Sequence, residues 1–210
     1  MQLKPKIMKH IAFLVLVVAL FSCSGNSKKE NNEVKDSSNV VVEPTDSMLI
    51  EYSNHVFKNF DTENYRALAE WISAEGVRFS AYAFIDTTKD VVLSADKIKT
   101  AASSTEKLNW GSFDGSGDPI EMTMADYFAD FVTDAAFAGS GEVTVNKFSQ
   151  RGNTTNNIEE AYPGCDYVDF FIKGENPDFD GMDWKALCLV FKTIEGKTWL
   201  VGVVHDEWTI

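Results

Sequence analysis

The chain has 210 residues, of which 44% are hydrophobic, 24% charged and 12% aromatic. This composition is typical of a globular protein and excludes a disordered or fibrous one. Lysine and arginine number 19 against 32 acidic residues, so the formal charge is -13. Because a nucleic-acid-binding surface needs a basic face, we expect no nucleic acid among the partners.

The N-terminus has the pattern of an export signal. Lysines precede an apolar run over 11–21, which is too short to span a bilayer but suits the hydrophobic part of a signal peptide. The run ends in LFSC at 20–23, which resembles the lipobox of bacterial lipoproteins, where a small residue precedes an acylated cysteine. The resemblance implies a signal peptide over 1–22 and a lipid on Cys23. An ordinary signal peptide with a chance cysteine is the alternative.

The segment that follows has the composition of a tether. Residues 23–45 comprise the acylated cysteine and a stretch rich in Ser, Asn, Lys and Glu, without aromatic residues. Such a stretch cannot bury enough apolar surface to order itself. Docking of the valines at 40–42 as an edge strand is the alternative. We therefore expect a bacterial envelope protein, at the outer membrane or cell surface, with the membrane as partner through its lipid.

The remaining residues, 46–210, predict a single α+β domain. Capping residues followed by apolar residues at three- and four-residue spacing predict helices that begin near Asp46, Asp61, Ser94 and Thr123. Turn chemistry predicts a loop over 113–119. Alternating or apolar segments predict strands over 77–86, 90–93, 142–150, 166–173, 185–194 and 198–209.

The order of these elements resembles that of NTF2-like cones, in which helices cover a curved antiparallel sheet and leave a pocket. A cystatin-like fold or another helix-on-sheet roll stays open, because element order alone permits several topologies. GVRFSxY at 76–82, WGxxDGSG at 110–117, NNIE at 156–159 and HDEWTI at 205–210 look like a family of secreted bacterial domains without assigned activity. This chain has alanine at 81, where that family usually has proline. The resemblance carries over no catalytic residue.

Four side chains are the candidate ligand-binding residues. Arg78 and Tyr82 are predicted to share one face of the strand 77–86, and His205 interrupts an apolar row begun by Trp199, Val201 and Val203. Buried polar groups need a protein partner, a water or a ligand. We therefore predict one cleft lined by Arg78, Tyr82, Trp110 and His205, which would recognise an anion or a planar ring. Hydrogen bonding of these groups to one another or to loop carbonyls is the alternative.

Metal ligands occur only in fragments. Strand alternation places His205 and Asp206 on opposite faces, so they are not expected to form a dyad. Asn176, Asp178 and Asp180 match positions 1, 3 and 5 of a calcium loop, but position 12 lacks the bidentate glutamate. The sequence predicts an Asx-rich turn there, with calcium as the alternative, and otherwise neither a metal nor a cofactor.

The two cysteines of the domain are predicted to be unbonded. If 166–173 and 185–194 pair as a hairpin, Cys188 lies opposite about residue 170, roughly 16 Å along the strand from Cys165. Bridged cysteines have α-carbons no more than about 7 Å apart. A disulfide is therefore not expected.

Two classes of function follow from these residues. The favoured one is a noncatalytic module that binds a small molecule or another envelope protein. The alternative is a small NTF2-like pocket enzyme in which His205 acts as acid or base and Arg78 or Tyr82 orients the substrate. The two differ in whether His205, Arg78 and Trp110 meet in one cavity.

Overall fold

Helices and strands alternate irregularly along the chain, as expected for an α+β protein. The computed structural model describes residues 43–149, 151–152 and 155–209. The predicted signal peptide, Cys23 and nearly all of the tether lie outside these residues. No helix of the described part of the chain is both long and apolar enough to cross a membrane.

The helices begin mostly where capping residues predict them. They are α1 Asp46–Asp61, α2 Tyr65–Ala69, α3 Ala95–Lys99, α4 Met124–Phe131 and α5 Ile158–Ala161. The side chains of Thr45, Ser94 and Thr123 cap α1, α3 and α4 by accepting a backbone N–H. Asp61 does not cap α2, because α1 continues through it and the Asn64 side chain caps α2 instead. The short helix α5 was not predicted.

The described residues contain eight strands, which form two sheets. They are β1 Val77–Ser80, β2 Val91–Leu93, β3 Leu108–Ser112, β4 Pro119–Met122, β5 Glu142–Val145, β6 Asp166–Ile172, β7 Lys185–Ile194 and β8 Lys197–Glu207. The curved, unclosed main sheet has the order β2-β1-β8-β7-β6-β5, and β3 and β4 form a separate hairpin. The prediction of a loop over 113–119 missed that this loop joins two strands.

The main sheet is mixed, whereas the sequence predicted an antiparallel one. Strands β5 to β8 are antiparallel neighbours, but β1 runs parallel to β8. These two strands are separated by most of the domain, so no hairpin turn dictates their direction. Strand β8 is therefore central, with a partner on each side.

Both faces of the main sheet are covered, as the apolar residues on both sides of β8 predict. The inner face packs on α1 and α4 in a core that includes Phe57, Phe79 and Phe128. The outer face packs against the segment before β6, where Ile158 of α5 joins Val190 and Val204. The side chains of β8 therefore reach two separate environments.

Candidate functional site

Trp110 lies in the inner core and not in a cleft. It is 1% exposed, and its ring stacks on Tyr127 with a centroid separation of 3.8 Å. Its indole Nε1–H donates to the Met122 carbonyl of the neighbouring strand at 3.0 Å. The side chain thus has its polar group satisfied and holds the β3–β4 hairpin against α4.

Arg78 and Tyr82 are separated because β1 is shorter than predicted. The strand ends at Ser80, so the alternation that was to place both side chains on one face does not reach Tyr82. Arg78 lines a pocket of about 310 Å³, whereas Tyr82 lines a different cleft of about 880 Å³. None of the four described pockets is lined by more than one of the four predicted side chains.

His205 lies on the inner face, in an apolar row that shares Val203 with the predicted row but has Leu200 where Trp199 and Val201 were predicted. Val190 pairs with Gly202 while Phe191 pairs with Leu200, so Val201 is an extra residue in β8. This bulge reverses the alternation, and the row that leads to His205 is Leu200 and Val203. The sequence alternation could not reveal the bulge because residues on both sides of it are apolar.

The inner cluster, which we define as Asp134, Lys185, His205 and Glu207, surrounds the buried imidazole. His205 is 1% exposed, donates from Nδ1 to the Ala81 carbonyl at 3.0 Å, and has Nε2 3.4 Å from Asp134 Oδ2. The Lys185 ammonium contacts the carboxylates of both Asp134 and Glu207. Burial opposes ionisation of Asp134, but His205 and Lys185 lower its pKa below the ordinary value.

The inner cluster has the spacing of a metal site but already holds a cation. One ligand atom from each of Asp134, His205 and Glu207 lies within 4.8 Å of the others. The Lys185 ammonium occupies the neighbourhood of both carboxylates and would repel a metal ion. The residues present therefore fit a closed ion cluster better than a metal centre.

The outer cluster, Arg151 with Asp169 and Asp206, lies on the opposite face of the sheet. Arg151 donates to both oxygens of Asp169, at 2.6 and 3.0 Å, and to Asp206 Oδ2 at 2.9 Å. Burial raises the pKa of both carboxyls, although the Arg151 charge opposes this effect. Asp206 Oδ1 is buried and has no hydrogen-bond partner among the described residues.

Asp206 also lines an open site, which we call the Asp206 cleft. It has a volume of about 880 Å³ and is lined by Asp206, Tyr82 and Phe84, and by the loop at 112–117 that joins β3 to β4. The Phe84 ring is 59% exposed. Aromatic surface around a few polar groups is the usual composition of a small-molecule site.

The loop that walls this cleft is held in a defined conformation. Phe113 and Asp118 pair through a backbone hydrogen bond of 2.8 Å, and Gly115 and Gly117 take positive φ angles that other residues adopt at a cost. The Asp114 N–H donates to the Tyr82 hydroxyl at 3.2 Å. Burial raises the pKa of Tyr82, so its phenol stays neutral at physiological pH.

Sequence reasoning missed most residues of this cleft. Asp206 was expected on the face of β8 opposite to that of His205, and the structure confirms this. Its partner Arg151, however, lies 55 residues away in sequence. Phe84 fell within the predicted strand 77–86 and Phe113 within the predicted loop 113–119, and neither was predicted to line a site. The available signal was a glycine-rich loop with an exposed aromatic residue and an acidic one, Phe113 and Asp114.

The remaining candidate residues form local structure. Asn176 Oδ1 accepts the Asp178 N–H at 3.0 Å and caps a short 3-10 helix, Pro177–Phe179. Asp183 Oδ2 accepts the N–H groups of Glu175 and Asn176. These are the contacts of the Asx-rich turn that the sequence predicts.

Cys165 and Cys188 are both free, as predicted. The register places Cys188 opposite Asp169, one residue from the predicted position, and Cys165 immediately precedes β6. Several residues of strand therefore separate the two thiols. Burial raises the pKa of both, so neither is an activated nucleophile.

No family model matches this chain, and no curated protein sequence matches it. A DUF4783 family protein from Bacteroides ovatus aligns with 73% of this chain and 92% of its own length, at 10% identity and a TM-score of 0.34. A DUF4783 family protein from Bacteroides uniformis aligns with 73% of this chain and 94% of its own length, at 12% identity and a TM-score of 0.32. Similarity at this level transfers no function to this chain.

Proposed function

We propose that this chain is a noncatalytic binding module of the bacterial envelope, which takes a small ligand in the Asp206 cleft. The observation that carries the proposal is that Asp206, whose Oδ1 has no hydrogen-bond partner among the described residues, lines an open cleft of about 880 Å³. A buried carboxylate oxygen without a donor is unfavourable. A ligand N–H or O–H would supply that donor.

The charges around the cleft favour a cationic ligand. Arg151 carries one positive charge between the two carboxylates of Asp169 and Asp206, so the outer cluster keeps one negative charge when both are ionised. Asp114 adds a further carboxylate to the lining. Phe84 and Phe113 are partly exposed and add aromatic surface to the lining, which suits a cation or an apolar group. We therefore propose an amine attached to an apolar or aromatic portion.

The envelope location and the NTF2-like fold are parts of the same proposal. The lipobox-like LFSC at 20–23 supports a lipid on Cys23, with 1–22 as signal peptide, 23–45 as tether and 46–210 as domain. Two N-terminal helices followed by a curved, unclosed sheet support an NTF2-like cone. In a lipoprotein-making host, Cys23→Ser should move the protein from the membrane fraction to the soluble fraction, and unchanged sedimentation would contradict the anchor.

An enzyme that uses His205 is the second candidate, and its geometry is unfavourable. His205 is buried, lies on the face opposite Asp206 and lines none of the pockets found in the described structure. A general acid or base must reach a substrate within hydrogen-bonding distance or through one water. The present arrangement offers His205 only protein partners, Ala81 and Asp134.

Calorimetric titration of the full chain in a non-ionic detergent tests the binding proposal. The probe is phenethylamine, with 2-phenylethanol as its neutral analogue. The amine should bind at least about tenfold more tightly, because only the ammonium makes a charge-assisted hydrogen bond to Asp206. Phe84→Ala should weaken the amine by about tenfold through loss of the ring face. Phe179→Ala, which removes an exposed ring outside the cleft, is the matched control.

The pH dependence identifies the carboxylate. Cation binding needs ionised Asp206, whose pKa is raised by burial more than Arg151 lowers it. Affinity for phenethylamine should therefore fall on acidification, starting above the pH at which an ordinary aspartate takes up its proton. Equal binding of the amine and the alcohol, or equal effects of the two phenylalanine variants, would contradict the proposal.

A further inference from the structure

The three arginines of the chain have different surroundings. Arg66 is exposed on α2, and Arg151 is buried between two aspartates. Arg78, in the middle of β1, is half-buried and donates from Nη1 to the backbone carbonyl of Asp90 at 3.3 Å. No described carboxylate forms an ion pair with Arg78. A guanidinium has five N–H donors, so most of those of Arg78 have no acceptor among the described residues.

Arg78 lines a pocket of about 310 Å³ between β1, β8 and the α5 segment. Lys192 and Glu75 also line it, and their charged atoms are 3.8 Å apart, so the one carboxylate of the pocket is engaged by the lysine. The lining then carries one net positive charge in a chain whose formal charge is -13. Val92 and Val201 contribute apolar wall.

A buried hydroxyl belongs to the same pocket wall. Tyr162 lines the pocket, and its hydroxyl has no hydrogen-bond partner among the described residues. It packs against Gly202, where an added Cβ would stand 2.5 Å from the hydroxyl oxygen. The glycine in β8 thus makes room for this tyrosine, whose buried hydroxyl lies against Gly202, and Arg78 supplies the unused donors of the pocket.

We propose that this Arg78 pocket is a second ligand site, which binds a small monocarboxylate with a short apolar tail. The planar guanidinium matches a carboxylate in a bidentate arrangement. A single negative charge balances the single net positive charge of the lining, whereas a doubly charged phosphate would be repelled by Glu75. The apolar wall accommodates the tail. This site is independent of the Asp206 cleft, which is acidic and shares no lining residue with it.

The test is calorimetric titration of the full chain in a non-ionic detergent with sodium butyrate, 1-butanol and inorganic phosphate. Butyrate should bind saturably and more tightly than the other two probes. Arg78→Gln should weaken butyrate binding by about ten- to hundredfold, the effect of a hydrogen bond to a charged group. Arg66→Gln, which removes the same charge at an exposed position, should leave the affinity unchanged.

A second variant distinguishes a loss of binding from a loss of folding. Lys192→Gln changes a partly exposed side chain of the pocket and should weaken butyrate by up to about fivefold without changing the circular dichroism spectrum. The proposal is overturned if butyrate does not bind, if butanol or phosphate binds as tightly, or if neither Arg78→Gln nor Lys192→Gln weakens butyrate more than Arg66→Gln does. Phenethylamine binding should survive Arg78→Gln, which separates this site from the proposed function.

Discussion

His205 and Asp206 are neighbours in sequence but belong to two ion clusters that differ in their ratio of basic to acidic groups. The inner cluster gives Asp134 two basic neighbours, His205 and Lys185. The outer cluster gives Arg151 two buried carboxylates to neutralise. Alternation along β8 places the two residues on opposite faces of the sheet. Asp134 has two basic neighbours on the inner face, whereas two aspartates share Arg151 on the outer face, and this difference decides the direction of the aspartate pKa shifts.

The two arrangements have opposite effects on aspartate pKa values. Burial disfavours the charged form in both clusters, but the basic neighbours outweigh it for Asp134 and do not for Asp169 and Asp206. Each cluster leaves one buried carboxylate oxygen without a hydrogen-bond partner among the described residues, Asp134 Oδ1 in the inner cluster and Asp206 Oδ1 in the outer one. Asp206 lines an open cleft, whereas no residue of the inner cluster lines a described pocket. The inner cluster contacts mainly protein groups, which fits a structural role.

The largest expected effect comes from removing the shared cation of the outer cluster. Arg151→Met should lower the free energy of unfolding by about 3–5 kcal/mol at neutral pH, because it leaves two buried carboxylates without a counter-charge. Urea denaturation measures the change. The triple variant Arg151→Met, Asp169→Asn and Asp206→Asn should recover part of the loss. A loss below about 1 kcal/mol in Arg151→Met would show that the cluster is hydrated.

A smaller effect is expected in the inner cluster. Asp134→Asn removes the charged acceptor of Lys185 and the carboxylate beside His205, and should lower the free energy of unfolding by about 2 kcal/mol at neutral pH. The loss is smaller than for Arg151 because Lys185 is partly exposed and keeps Glu207 as a partner. A larger loss than in Arg151→Met would reverse the order of the two clusters.

The pH dependence of stability distinguishes the clusters by sign. The lowered pKa of Asp134 stabilises the fold above the ordinary aspartate pKa, and this contribution is lost as the pH falls through the folded value. The raised pKa of Asp169 acts oppositely, since its contribution is present at low pH and is lost as the pH rises through the folded value. Asp134→Asn should make stability less sensitive to acid, and Asp169→Asn more sensitive. Parallel profiles would contradict the comparison.

The smallest effect is expected at an exposed ion pair. Lys97 and Glu106 pair at the surface with both side chains about half exposed. Lys97→Gln should change the free energy of unfolding by less than about 1 kcal/mol, and the difference should vanish in high salt. This variant is the solvent-exposed reference for the two buried clusters. A salt-independent loss as large as that in Asp134→Asn would contradict the burial argument.

Local signals predicted much of the fold. Thr45, Ser94 and Thr123 cap the helices they were expected to cap, because an N-cap needs only neighbouring residues. The apolar strands β6, β7 and β8 were predicted nearly in full. The end of β1 at Ser80 was missed, because residues beyond it bond to a distant loop: Asn157 bonds both backbone groups of Ile85.

The candidate site was predictable only in part. Alternation correctly separated His205 from Asp206, and Tyr82 does line a cleft. The prediction of one cleft with Arg78, Trp110 and His205 failed because Trp110 and His205 are buried on the inner face, while the end of β1 at Ser80 separates Tyr82 from Arg78. The pairing of Arg151 with Asp206 depends on long-range folding and leaves no trace in sequence spacing.

A crystal structure of the full chain with phenethylamine tests most directly whether the outer face carries the ligand site. We expect the ammonium within hydrogen-bonding distance of Asp206 Oδ1 and the phenyl ring against Phe84, with His205 still bonded to the Ala81 carbonyl. An Asp206 Oδ1 that accepts a protein donor while the amine lies elsewhere, or an amine bound beside His205, would contradict it.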